Sequence, residues 1–448
     1  MKTSIKLQLI IFFISALNIS LSAQTAHSIR NVARDASIEI DAVYTNPAGL
    51  VKLPDGIHIS VNNRSTFQKN EIKSDYIPFS ATGESNKSFT SKANSIITPN
   101  VLAAYKKDKW AISVGLGVSN YDKLKFTKGI STYESSISSL PVILTNAKIE
   151  TNKYSMHSNM EKTASIYNFQ LGASYAFSKI FSAYGGLRFN LVKNDYKGSI
   201  TDIQINPLHP ILNPDAQMIS AYDFFNTIGQ SDIARSLRDS KIDVKQKGFG
   251  FSPIVGININ HEKLNIGIKY EFKTKIDIEN STKVDDIGSL PDGVKTPDDM
   301  QALFSIGLSY QLSPKLLASI GYHHIFESDV RKADDKQQYI KNTNEFQAGL
   351  EYKADNRFLL SIGGQCKQPK VENNYQTDLD YILKSYSIGF GAAYDFTDKL
   401  RLNIGYQWTN YSDYTKTTDN YNNTGLIKTD VFSKSKSVLL AIGLDYHF

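Results

Sequence analysis

Ser437-Val438-Leu439-Leu440-Ala441-Ile442-Gly443-Leu444-Asp445-Tyr446-His447-Phe448 ends the chain and decides how the rest is read. Val438, Leu440, Ile442, Leu444, Tyr446 and Phe448 share one face, while Ser437, Gly443, Asp445 and His447 share the other. A two-residue period belongs to a β-strand, whose successive side chains point to opposite sides. One side here is oily and the other is not.

The same alternation recurs outward from this stretch. Leu400, Leu402, Ile404, Tyr406 and Trp408 oppose Arg401, Asn403, Gly405, Gln407 and Thr409. Trp110, Ile112, Val114, Leu116 and Val118 oppose Ser113, Gly115, Gly117 and Ser119, and Tyr167, Phe169, Leu171 and Ala173 oppose Asn168, Gln170, Gly172 and Ser174. Strands of a soluble sandwich are nearer five or six residues. These segments run to roughly ten or more, the span of a tilted strand across a bilayer. No stretch after the N-terminus has the ~18 consecutive apolar residues of a membrane helix. Mean hydropathy is −0.30, but a membrane β-barrel hides its apolar surface on alternate residues and escapes such averages.

Connections set the topology. Short polar turns lie at 106–109, 178–179, 260–263, 313–315, 354–356 and 397–399, and long excursions near 73–93, 128–161, 194–241, 280–299, 329–341, 368–380 and 413–429. Short turns on one side and long loops on the other define an outer-membrane barrel with its short side in the periplasm. The reading is an all-β fold, a 14-stranded antiparallel transmembrane barrel over 55–448. Aromatics near strand ends, among them Tyr105, Trp110, Phe177, Tyr270, Tyr394, Phe396, Tyr446 and Phe448, form interfacial girdles.

At the other end, Lys2 and Lys6 precede an apolar run from Leu7 to Leu17, and Leu21-Ser22-Ala23 offers small residues for cleavage before Gln24. Residues 1–23 read as a secretory signal peptide, which places the mature chain in the outer membrane of a Gram-negative bacterium. Residues 24–54 remain ahead of the first strand. A barrel of this size lies between those filled by their own side chains and those that leave an aqueous channel, so 24–54 is read as a plug, or hatch. Pro47 cannot donate to a ladder, which keeps this piece out of the wall, and Gly49 permits a sharp exit towards it.

Asn46-Pro47-Ala48-Gly49-Leu50, followed by a first strand near Gly56 and a barrel ending in Phe448, resembles the FadL/TodX family of outer-membrane transporters for long-chain fatty acids and aromatic hydrocarbons. The segment from Pro291 through Tyr322 also looks like that family's middle hairpin. The resemblance implies passive transport through a barrel gated by the hatch, with Asn46, Pro47, Ala48 and Gly49 in the gate. It also implies a kinked third strand that lets ligand leave sideways, matched here by Ser119, Asn120, Tyr121 and Asp122. Asp122-Lys123 stand where the family often has glycine.

Other features carry candidate roles. Asn213 suits a helix cap with Pro214 at the first position, which predicts a helix in the third long loop with Met218, Ala221, Tyr222 and Phe225 on one face. That face either packs against neighbouring loops or collects ligand. Arg188, Lys269, Glu271, Asp395, Arg401 and Asp445 all point inward by parity. They either pair with one another and hold the hatch, or Arg188, Lys269 and Arg401 bind a ligand carboxylate.

Several chemistries find no support. The net charge of +6 is spread along the chain with no basic run, so no nucleic-acid partner is expected. Cys366 is the one cysteine, and His323-His324 point to opposite faces of a strand, so neither disulfide nor metal site is expected. No catalytic motif or cofactor signature occurs. The expected partners are a hydrophobic small molecule, outer-membrane lipid and lipopolysaccharide, with the barrel a monomer. A plugged barrel serving as a structural or secretion-associated partner is the alternative.

Overall fold

Alternating strands joined by short turns leave no unpaired edge only if the sheet closes on itself, and it does. The computed structural model describes residues 24–448, the side chains of 120–122 excepted; the expected signal peptide lies outside the described residues. Fourteen antiparallel wall strands form a closed barrel. They are β1 (Gly56–Asp75), β2 (Asn86–Lys107), β3 (Trp110–Phe126), β4 (Tyr154–Ala176), β5 (Phe181–Ile205) and β6 (Ser240–His261). Next come β7 (Leu264–Glu271, resumed at Asp277–Asp285), β8 (Lys295–Pro297, resumed at Ala302–Ser313), β9 (Leu316–Phe326) and β10 (Ile340–Lys353). The last four are β11 (Phe358–Val371), β12 (Ser385–Asp395), β13 (Leu400–Tyr411, resumed at Tyr414–Thr418) and β14 (Lys428–His447). β1 closes on β14 from His58↔His447 to Asp75↔Thr429.

The oily face of each strand points outward. Val61, Ile112, Leu116, Leu171, Val255, Ile320, Ile362, Ile404, Ile442 and Leu444 are exposed, as a band facing hydrocarbon requires. At the short-turn end, rings meet in pairs along this surface, Trp110 with Tyr175, Tyr394 with Phe396, and Tyr446 with Phe448; Tyr270 meets Phe272 farther along, where β7 breaks. Among the described residues no helix is long and apolar enough to cross a membrane.

Several strands run past the expected loop boundaries. β1 continues to Asp75, β5 to Ile205 and β7 to Asp285, so the wall projects beyond the apolar band and the loops are shorter than their polar composition suggests. A canopy covers this long-loop end. Helix α2 (Ser131–Asn146) buries Ile137, Leu140 and Leu144 in one apolar core that also holds Phe79, Phe126, Tyr196 and Phe432. The third loop corrects the expected helix: α3 spans Ala221–Thr227 and is capped by the Ser220 hydroxyl, not by Asn213. Asn213 instead organises the preceding turn, accepting from the Gln217 backbone N–H at 3.0 Å and donating to the Pro207 carbonyl at 2.9 Å. Met218 therefore precedes the helix, Phe225 is fully buried in the canopy core, and Tyr222 packs against it.

Candidate functional site

Residues 24–54 fill the barrel near its short-turn end as three short helical pieces, α1 (Ala26–Arg30) and two 3-10 turns, Ile40–Val43 and Pro47–Lys52. A segment this short cannot satisfy its own backbone, so the polar wall does it. Ser174 and Ser182 donate to the carbonyls of Pro47 and Ala48, both at 2.7 Å. Gln170 donates to that of Val43 at 2.7 Å, and Lys269 Nζ to that of Tyr44 at 2.5 Å. Asn46 Nδ2 reaches the Ser37 carbonyl at 2.9 Å and Asn258 Oδ1 at 2.7 Å. Asn258 and Asn265 exchange amide hydrogen bonds at 2.9 Å, and Asn265 also holds the Ala36 carbonyl.

Close approach explains the inward glycines. A Cβ on Gly267 would lie 2.1 Å from the Asp35 carbonyl oxygen, one on Gly389 2.4 Å from that of Ile29, and one on Gly405 2.8 Å from the Arg30 nitrogen. These form a belt where wall backbone meets hatch backbone. Gly49 serves the same purpose within the hatch. It is not among the positive-φ glycines, so the sharp exit expected of it is not its role; a Cβ there would lie 2.6 Å from Asn46 Nδ2.

Charges lock the floor. Arg34 pairs with Asp41 through Nε and Nη2, both at 2.8 Å, with Glu39 at 2.6 Å and with wall residue Glu351 at 3.1 Å. Arg30 joins Glu351 and Ser361. His27 Nε2 meets wall residue Asp445 at 3.0 Å, and hatch residue Asp35 meets His323 Nε2 at 2.9 Å, with Glu345 on the other ring nitrogen at 2.9 Å. Burial disfavours the charged forms of Glu39 and Asp41, but opposite charge outweighs it: Arg34 holds both below the usual carboxylate range. Asp445 and Asp41 likewise lift His27 above its ordinary value. His27, Glu39 and Asp41 come close enough to share a cation, yet guanidinium groups already occupy both carboxylates.

The three inward cations considered for carboxylate binding all have protein partners. Arg188 grips Glu271 through both carboxylate oxygens at 2.7 and 2.8 Å, Lys269 holds Tyr44, and Arg401 pairs with Asp395 at 2.6 Å and Glu39 at 2.8 Å. The parity rule missed Arg64 of β1. Its inward position was legible from the alternation of His58, Ser60, Asn62 and Arg64, all buried, with exposed Ile57 and Val61.

Two further features bear on passage. Above the hatch lies a cavity of about 270 Å³ bordered by Arg64, Ala93, Ser119, Leu124, Leu383 and Gln407. Nearby, β7 and β8 break their ladders, and Ile276 and Met300 pack in the wall with Ala164, Ile166, Val192, Leu303 and Ile325, an apolar patch on an otherwise polar lumen.

The β2–β3 ladder stops beside that cavity. β2 and β3 pair only from Lys107↔Trp110 to Asn100↔Gly117. Beyond this, among the described residues, 86–99 and 118–126 share no backbone pairing. Pro99 stands at the break and has no N–H to donate. On its other edge β2 carries an extra residue, Ile96 and Ile97 opposing Ser65 alone, and β3 carries an extra Ser119 between Val118 and Asn120. Bulges bend and twist a strand away from its neighbour. Asn120, Tyr121 and Asp122 remain paired with β4, opposite Ile166, Ser165 and Ala164. The break thus lies on the β2 side, where the Lys125 N–H reaches across to Ser91 Oγ at 2.6 Å.

A closed fourteen-stranded barrel with its N-terminal segment folded inside defines a plugged outer-membrane-type barrel. Solved structures with this architecture include a FadL homologue of Pseudomonas aeruginosa (12% identity, 96% of this chain and 99% of that one, TM-score 0.67). The toluene transporter TodX of Pseudomonas putida (13%, 92% and 94%, 0.56) and the toluene transporter TbuX of Ralstonia pickettii (13%, 92% and 94%, 0.53) share it too. The chain has the FadL/TodX fold, as the resemblance at Asn46–Leu50 implies. No family model matches its sequence, and no curated protein matches it.

Proposed function

We propose that this protein is a passive, non-enzymatic transporter of hydrophobic compounds in the outer membrane of a Gram-negative bacterium. Ligand enters through the loop canopy, reaches the cavity above the hatch and leaves sideways between β2 and β3. The observation that carries this reading is the broken β2–β3 ladder beside the cavity. An apolar molecule gains about 0.8 kcal/mol per CH2 on leaving water, so a path needs graded apolar contacts and a dry exit, not a catalyst. Ala93 and Leu124 flank the break from the cavity side, and exposed Ile96 and Ile97 face outward beside it.

In this scheme Asn46, Pro47, Ala48 and Gly49 keep the hatch shut, so that water and small solutes do not follow. Met218 and Tyr222, in the half-buried part of the third loop above Phe225, take the capture role. Arg188, Lys269 and Arg401 fix the wall and hatch. The fatty acids and aromatic hydrocarbons of the resembling family are the ligand classes to test. Protein reconstituted in liposomes should accelerate uptake of a labelled fatty acid or alkylbenzene several-fold over protein-free liposomes; equal rates for both ligands would refute transport.

A further inference from the structure

On the outer surface of the wall, two lysines stand directly opposite each other. Lys193 of β5 pairs in register with Lys247 of β6. Both are exposed and point away from the lumen, because their neighbours Val192, Asn194 and Gln246 are buried inward. Lys245 stands one outward position farther along β6, also exposed. Like charges directly opposite in a sheet are destabilising. The carboxylates beside them in register do not relieve this: Asp195, Asp243 and Glu279 pair instead with Lys197 at 3.9 Å, Lys283 at 4.0 Å and Lys295 at 3.2 Å. Among the described residues, Lys193, Lys245 and Lys247 have no carboxylate within ion-pair distance. Lys69 and Lys92 oppose each other likewise between β1 and β2, but there Glu71 lies 3.4 Å from Lys69.

Height on the barrel says what these lysines meet. From Phe181 at the start of β5 to Lys193 is about 40 Å of strand, or roughly 30 Å of height at a barrel's tilt. That lies just beyond an apolar band about 25 Å tall, at the long-loop end. Immediately below, on the same outward face, the rings of Phe169, Phe189 and Phe249 follow one another with centroids 6.0 and 6.2 Å apart. Lys193 Nζ itself lies 5.1 Å from the centre of the Tyr167 ring. Aromatic rings mark the boundary between hydrocarbon and headgroups, so the lysines sit at the level of the outer leaflet's polar heads.

We infer that the outward face of β4, β5 and β6 is a binding site for the phosphorylated glycolipid of the outer leaflet, lipopolysaccharide. A lipid A phosphate set between Lys193 and Lys247 takes charge-assisted hydrogen bonds from both and replaces their repulsion with a shared counter-ion. The acyl chains lie on the row from Tyr167 to Phe249, a contact that free phosphate cannot make. This rests on the outer-membrane reading and is independent of transport.

The test mixes the full chain in neutral-detergent micelles with bisphosphorylated lipid A or with its enzymatically dephosphorylated form, and native mass spectrometry reads the fraction of protein carrying one lipid. Lipid A should bind saturably and about tenfold or more tighter than the dephosphorylated form. The double variant Lys193→Gln, Lys247→Gln should lose that preference, while Lys92→Gln should bind as wild type does. Equal binding of the two lipids, an undiminished preference in the double variant, or an equal loss in Lys92→Gln would overturn the site and leave transport standing. Displacement of lipid A by millimolar inorganic phosphate would overturn the glycolipid as the occupant. If the double variant lacks the heat-modifiable gel mobility of a folded barrel, the wild-type comparison of the two lipids decides.

Discussion

Asn46 of the hatch donates its side-chain amide to Oδ1 of wall residue Asn258 at 2.7 Å, and this bond ties the Pro47 turn to β6. Asn258 is fully buried and bonds to Asn265, which holds the hatch again at Ala36. Asn46→Ala removes two buried hydrogen bonds and leaves Asn258 and the Ser37 carbonyl short of a donor. The expected cost to hatch docking is about 1–3 kcal/mol. Single-channel recordings in planar bilayers should show more frequent leak openings than wild type while the barrel keeps its heat-modifiable gel mobility; unchanged conductance would remove Asn46 from the gate.

Gly267 tests the glycine belt. Gly267→Val would drive a side chain into the Asp35 carbonyl, so hatch and wall cannot keep their present separation. Overpacking of this kind costs roughly 1–3 kcal/mol. The outcome expected is protease sensitivity of the hatch in folded, membrane-inserted protein. Gly364 is the control, because a Cβ there meets only the Ser387 carbonyl oxygen, at 3.7 Å.

Hatch closure should depend on pH with two limbs of opposite sign. His27 has a raised pKa in the docked state, so its contribution is fully present below about 6.5, its undocked value, and fades as pH rises through the docked one. Glu39 and Asp41 have lowered values, so theirs is present above about 4.5 and fades as pH falls through the docked values. Leak conductance should be lowest between these limits and rise on either side. His27→Gln should flatten the alkaline limb alone, which a titration of leak against pH would reveal.

Arg188 and Glu271 form a buried bidentate pair between β5 and β7. Removing one partner strands the other charge and should cost about 3–5 kcal/mol, whereas replacing both with apolar residues of similar size should cost far less. Equilibrium unfolding of Arg188→Met, Glu271→Leu and the double variant forms the cycle that checks this.

Much of the wall was legible because each inward or outward assignment needs only a residue and its neighbours two places away. Val438 through Phe448 declared their faces, and the six short turns fell where polar pairs interrupt alternation. The hatch was legible as a segment, since Pro47 bars it from the ladder, but its contacts were not: Asp35 meets His323 across 288 positions, which no local pattern encodes. The role of Gly49 was misread because a glycine needed for close approach looks, in sequence, like one needed for a turn. The β2–β3 break was missed for a similar reason. Asp122-Lys123 drew attention to the absent glycine in β3, while the features at the break, Pro99 and the Ile96-Ile97 bulge, sit one strand earlier and act only once register is set. In the third loop, Asn213-Pro214 was a valid local helix start overruled by the tertiary packing of Phe224 and Phe225 into the canopy.

Lateral exit between β2 and β3 is the central claim, and closing that break tests it most directly. Ala93→Cys and Leu124→Cys, in a Cys366→Ser background, place two thiols on the cavity edge of the break, where a short bismaleimide can bridge them. In liposomes, bridging should abolish accelerated uptake of labelled alkylbenzene or fatty acid, while the unbridged variant transports at the wild-type rate and leak conductance stays the same. Undiminished uptake with the bridge in place would contradict lateral exit and require a route past the hatch.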